Sequence, residues 1–225
     1  MADIDYPRFY RVLTRCQSLA EASTATDNVK KGWELVLSPL ASAYRAAHDA
    51  LSPAEEKAKK ETGEELVALG KIDQPFREAR AVVLMHRPYA QVPDTLKAQP
   101  TDTDKLNAIQ ALLHTIEEAH ASHEAWADPL VAGAFFTLAP DVIRETTEAI
   151  AASKDLGHAV SARSSAYQPA YDAYLRFKTV VRETFGHASK EYRDIHVRAR
   201  HASDTAEAPP VGGAAGPAPT TPATS

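Results

Sequence analysis

Residues 103–126, TDKLNAIQALLHTIEEAHASHEAW, decide the fold. Leu106, Ile109, Leu112, Leu113, Ile116, His120, His123 and Trp126 recur every three or four positions. That spacing gathers side chains onto one face of an α-helix. Asp102 or Thr103 supplies a capping oxygen for the free amides of the first turn, and Asp128-Pro129 stops the helix. An apolar face this long needs other helices to cover it.

Working upstream, residues 88–103 contain Pro88, Pro93 and Pro100 and little periodicity, so they read as a connection. If the chain has two halves, they are 1–87 and 104–201, joined there. Ser52-Pro53-Ala54-Glu55 is a capping-box start. The helix it opens is polar at first (AEEKAKKETGEE), then apolar at Leu66, Val67, Leu69 and Ile72. Pro75 predicts a bend or restart after Asp73. Before it, residues 28–51 carry a stripe of Trp33, Val36, Leu37, Leu40, Tyr44, Ala47 and Leu51, with a kink expected at Pro39. The first helix, about 6–26, aligns Phe9, Val12, Leu13, Cys16, Leu19 and Ala20, with Asp5 as cap and Pro7 in the first turn.

Downstream, residues 130–138 (LVAGAFFTL) are nearly all apolar but too short to span a bilayer. They read as a short buried helix or packed loop. Pro140-Asp141 opens a helix bearing Val142, Ile143, Thr147 and Ile150. A separate helix over about 165–185 carries Tyr167, Tyr171, Tyr174, Phe177, Val181 and Phe185, and Gly186 ends it. Ser189 caps a last short helix through Tyr192 and Ile195. Residues 202–225 are rich in Pro, Ala, Gly and Thr with a single large aliphatic, Val211. Such a segment cannot bury enough apolar surface to offset its ordering entropy, so a disordered tail is expected there.

The 225 residues are 44% hydrophobic and 24% charged, with a net charge of −5. This is a globular balance that needs no disulfide or metal to fold. The charge gives no footprint for nucleic acid, and no apolar run suits a membrane span. A single cysteine, Cys16, excludes an intrachain disulfide, and the N-terminus has no signal-peptide pattern, so a cytoplasmic setting is expected.

Few residues point to chemistry. Glu117-x-x-His120 has the spacing with which di-iron bundles place a carboxylate and an imidazole on one metal. His123 and the Asp155-x-x-His158 pair would have to complete the set, and a second Glu-x-x-His is missing. The default reading puts these histidines at the edge of the apolar stripe. Cys16, on an apolar face, reads as a core residue rather than a nucleophile. The series Tyr167, Tyr171 and Tyr174 is either core or a partner-binding face. Lys190, Arg193, His196, Arg198, Arg200 and His201 read as a solvated helix end. No phosphate loop, nucleophile elbow, His-Glu-x-x-His or Cys-x-x-Cys occurs.

The expectation is therefore an all-α protein, an antiparallel bundle of about six helices. Short connections at Asp27, Ser52 and Gln168 would each reverse the chain. The functional expectation is a non-enzymatic interaction or structural protein that binds a protein partner or itself, with no catalytic residue, metal or cofactor assigned. The alternatives are a metal-binding bundle and a bundle around a small hydrophobic ligand near Phe135, Phe136 and the tyrosines.

Overall fold

The structure, a computed structural model, describes residues 5–196. These are helical with no strand. The helices are α1 (Tyr6–Glu21), α2 (Asp27–Gly32), α3 (Ser38–Asp49), α4 (Leu51–His86), α5 (Asp102–Ala121), α6 (Asp128–Val131), α7 (Ala134–Phe185) and α8 (Lys190–Ile195). A π-turn, Trp33–Leu37, fuses α2 to α3. With that rod taken as one and the single turn α6 set aside, the bundle has six helices, as the periodicity predicts. The tail read at 202–225 lies outside the described residues.

The frame is an antiparallel pair of rods. α7 is 52 residues long, about 78 Å at 1.5 Å per residue. Residues 27–86 run against it for most of that length. A Cβ on Gly32 would sit 3.6 Å from Phe177 and Val180. Farther along, Tyr44 meets Tyr167 with ring centroids 6.1 Å apart. Lys57 pairs with Asp155 at 3.2 Å, and Phe76 meets Phe135 at 5.9 Å. One number rises as the other falls, in a single register.

That register corrects two expected reversals. The chain does not turn back at Ser52: Ala50 has helical angles (φ −69°, ψ −16°), and α3 and α4 follow one another along the same α7. Nor is there a connection at Gln168, because α7 passes through Pro140 and Pro169 without ending. Both prolines delete one backbone hydrogen bond, yet the seam against the facing rod holds the helix on either side. α4 likewise runs through Pro75, with Ile72, Phe76 and Ala79 buried around it. At Pro39 the expected irregularity is present as the π-turn. A widened turn absorbs the proline's missing donor while keeping Trp33 and Leu37 buried.

The seam follows a three-four alternation. In α4 it is Leu51, Ala54, Ala58, Glu61, Glu65, Ala68, Ile72, Pro75 and Ala79; in α7 it includes Val142, Glu145, Ala149, Ala152, Leu156, Ala159, Arg163, Ala166, Ala170, Ala173 and Phe177. All are buried or half-buried. This is the heptad pattern of coiled coils.

Two hydrophobic cores lie at the ends of the pair. One is aromatic, built from α1, α2, α3, α8 and the C-terminal half of α7 around Phe9, Tyr44, Tyr174 and Phe177. The Ser189 hydroxyl caps α8 at the Tyr192 amide, 3.1 Å, and the Tyr174 hydroxyl donates to the Ile195 carbonyl, 2.7 Å. The other is aliphatic, built from the ends of α4 and α7 that face each other, α5, and the returning segment with Val92 and Leu96. Both cores combine residues from before and after 88–103. That segment is strapped to α4 by Arg80, whose Nε donates to the Val92 carbonyl at 3.1 Å and whose guanidinium pairs with Asp94. It returns the chain so that α5 runs parallel to α4. Thr101 caps α5 by accepting from the Asp104 amide, 3.1 Å, and Arg87 meets Glu118 at the far end, 3.7 Å. Between the cores the two rods form a neck whose seam is alanine and carboxylate.

Candidate functional site

The residues singled out in the sequence do not converge. Glu117, His120 and His123 all lie exposed on or just past α5. His120 Nδ1 is 3.1 Å from Asp128 Oδ1. His123 has left the helix with φ 58°, and His158 is exposed on the neck, on a different helix. Helical spacing put these groups on one strip, but it is the strip that faces water.

Cys16 is fully buried in the aromatic core, and burial pushes its thiol up to about 12. The tyrosines close around Phe9, whose ring lies 5.1 to 5.9 Å from those of Tyr44, Tyr167, Tyr171 and Tyr174, all edge-on. Tyr174 is buried; Tyr167 and Tyr171 are half-buried. They pack the core. Of the basic stretch, Arg198, Arg200 and His201 lie outside the described residues.

The unusual chemistry sits where α4 faces α7 in the neck. Glu61 is 9% exposed, Glu65 2% and Thr146 fully buried. Oxygens of Glu61, Glu145 and Glu148 lie within 4.8 Å of one another. Their cationic neighbours approach from outside. Lys60 Nζ is 3.3 Å from Glu61 Oε1, and the Arg144 guanidinium is 2.7 Å from Glu145 and 3.6 Å from Glu148. Glu61 Oε2, Glu65 Oε1, Glu145 Oε2 and the Thr146 hydroxyl have no hydrogen-bond partner. One turn along, burial raises the Glu65 carboxyl above its ordinary value. Asp102 adds to the shift and Lys105 opposes it. Leaving a buried polar group unpaired costs about 1–3 kcal/mol, more for a charge, so this seam is a place where stability is given up.

These residues escaped the sequence reading because AEEKAKKETGEE looks like a solvated face. The signal that finds them is the heptad. Carried back from Ile72 and Ala68, it lands on Glu65 and Glu61.

The same stretch of α4 has an outer face. Gly63, Leu66, Val67 and Gly70 follow one another at three- and four-residue spacing. Leu66 is 63% exposed and Val67 58%. Val67 lines a groove of about 740 Å³ between α4 and α7 with Leu138 and Val142. Leu66 lines a smaller one toward Lys105 of α5. A Cβ added at Gly63 or Gly70 would meet nothing.

No helix among the described residues is long and apolar enough to cross a membrane. Compared with protein-family models, curated proteins and solved structures, the chain gives no match.

Proposed function

We propose that this chain is a non-enzymatic helical scaffold that pairs with a second copy of itself through the outer face of α4. The observation that carries the reading is the stripe Gly63, Leu66, Val67 and Gly70. Each glycine in a helix interior costs roughly 0.5–1 kcal/mol relative to alanine. Nothing within the chain needs the missing Cβ at either position. Two glycines flanking two exposed aliphatics make a flat strip on which another helix can lie closely. The copy is favoured over another partner by the charge order. An antiparallel pairing centred between Leu66 and Val67 sets Glu56 of one copy opposite Arg77 of the other. The contact is then self-complementary, as a twofold interface requires. The rim of the groove is mixed, with Lys59, Lys60, Lys71 and Arg144 among Glu56, Glu64, Asp141 and Glu145. That mixture and the net charge of −5 do not favour nucleic acid. The lone thiol fits a reducing, cytoplasmic setting.

Sedimentation velocity tests the proposal. The full chain is expected to shift from monomer to dimer as its concentration rises through the micromolar range. The double variant Leu66→Lys, Val67→Glu is expected to stay monomeric with an unchanged helical circular dichroism spectrum. A wild-type chain that remains monomeric into the sub-millimolar range defeats the proposal, as does a double variant that dimerises equally well.

A further inference from the structure

We propose that Arg8, Arg11 and Arg15 line a binding groove for a small ligand that carries two or three phosphates in a row. The three arginines follow one another at intervals of three and four along α1, so neighbouring side chains start about 5–6 Å apart on one strip of the helix. With His196, just past the end of α8, they line a groove of about 420 Å³ that Asp5 and Val12 complete. Its size is that of a small-molecule site rather than of an extended interface. Arg15 Nη1 donates to the Asp194 carbonyl of α8 at 3.3 Å, which holds that guanidinium between the two helices.

Elsewhere in the chain Arg77, Arg80, Arg87, Arg144 and Arg182 each hold a carboxylate. Among the described residues, Arg8, Arg11 and Arg15 form no ion pair, and their placement is costly. Like charges three and four apart on a helix repel. Arg8 also stands in the first turn of α1, where the helix dipole disfavours a cation and no acidic residue offsets it. The one carboxylate lining the groove, Asp5, accepts from the Arg8 backbone amide at 3.4 Å. A chain of net charge −5 thus gathers three permanent cations that the fold itself leaves without a counter-charge. Each guanidinium offers a planar fork of donors that matches phosphate oxygens two at a time. A di- or triphosphate concentrates several negative charges over the length of such a strip, which a lone carboxylate or phosphate does not. The groove is built on α1, apart from the outer face of α4, and does not depend on the pairing proposed above.

The test is calorimetric titration of the full chain at low ionic strength with sodium pyrophosphate, sodium tripolyphosphate and, for comparison, orthophosphate. Wild type is expected to bind one tripolyphosphate per chain, and to bind orthophosphate roughly tenfold or more weakly. Arg11→Gln and Arg15→Gln, each with an unchanged helical circular dichroism spectrum, are expected to lose roughly tenfold or more in affinity for tripolyphosphate. Arg176→Gln, which removes an exposed arginine of α7, is expected to bind as wild type does. A further titration with ATP separates two sources of the same chemistry: affinity equal to that for tripolyphosphate places recognition in the phosphates alone, and tighter binding extends it to a nucleotide. Absence of saturable binding to both polyphosphates at millimolar concentration overturns the site. So does a loss in Arg176→Gln equal to that in Arg11→Gln, since the attraction would then belong to overall charge and not to the groove.

Discussion

Glu65 sits where three influences oppose its charge and one favours it. Burial acts most strongly, Asp102 repels the carboxylate and shares a hydrogen bond with its protonated form, and only Lys105 attracts it. The folded chain therefore keeps a proton on Glu65 above the ordinary value of 4.5, at which the unfolded chain releases it. The folded state then binds more protons than the unfolded one. The stabilisation is full below that pH and is lost as pH rises through the raised folded value. Urea unfolding at several pH values from 4 upward is expected to show this decline. Glu65→Gln should flatten it and raise stability at neutral pH by about 1 kcal/mol, the scale of one unpaired buried polar group. Cys16 supplies a second residue-scale check. Its thiol is fully buried and pushed up to about 12, so a thiol reagent at neutral pH should react no faster than the chain unfolds. Rapid labelling of the native protein would contradict its place in the core.

At the scale of the element, α4 serves two masters. Its inner face keeps a heptad through Glu61 and Glu65, and its outer face carries Gly63 and Gly70. Replacing both glycines with alanine should stabilise the isolated monomer by about 0.5–1 kcal/mol each, because the helix gains propensity and meets no clash. The same change should weaken self-association, because a close-lying helix would meet two new methyl groups. Chemical unfolding at low concentration and sedimentation at high concentration read the two effects separately. An unaltered association constant would mean that the glycines do not face a second chain. The helical stripes of α1 and α5 and the caps Asp5 and Ser189 were legible from the sequence, because periodicity and capping chemistry are local. Where α3, α4 and α7 continue was not. Ser52, Pro75 and Pro169 carry local signals for starts and stops, but a facing rod that buries Phe76 on one side and Tyr174 on the other outweighs one lost hydrogen bond. The carboxylate seam was hidden for the opposite reason. Charged residues read as solvated unless the register of a partner helix is known, and that register joins residues far apart in the chain, such as Lys57 and Asp155, 98 positions from each other. His120 and His123 matched a ligand spacing, yet spacing fixes only a shared strip of helix, not which way it faces.

At the scale of the molecule, two cores hang on one pair of helices. The aromatic end has edge-on ring contacts around Phe9 and the aliphatic end has Ile72, Ile109, Leu112 and Ile116 fully buried, whereas the neck between them offers alanines and orphaned carboxylates. Local opening follows the density of buried apolar contacts. Backbone amides of 54–66 and 147–162 are therefore expected to exchange with deuterium faster than those of either core. All of this depends on α7 being a single rod that spans both cores. Pulsed electron spin resonance between nitroxides at Thr147 and Leu175, both exposed and on either side of Pro169, measures that directly, with Cys16 too buried to take up label. A continuous helix predicts one narrow distribution near about 42 Å, from 28 residue steps at 1.5 Å each. A distance far shorter, as an antiparallel turn near Gln168 would give, would contradict the account.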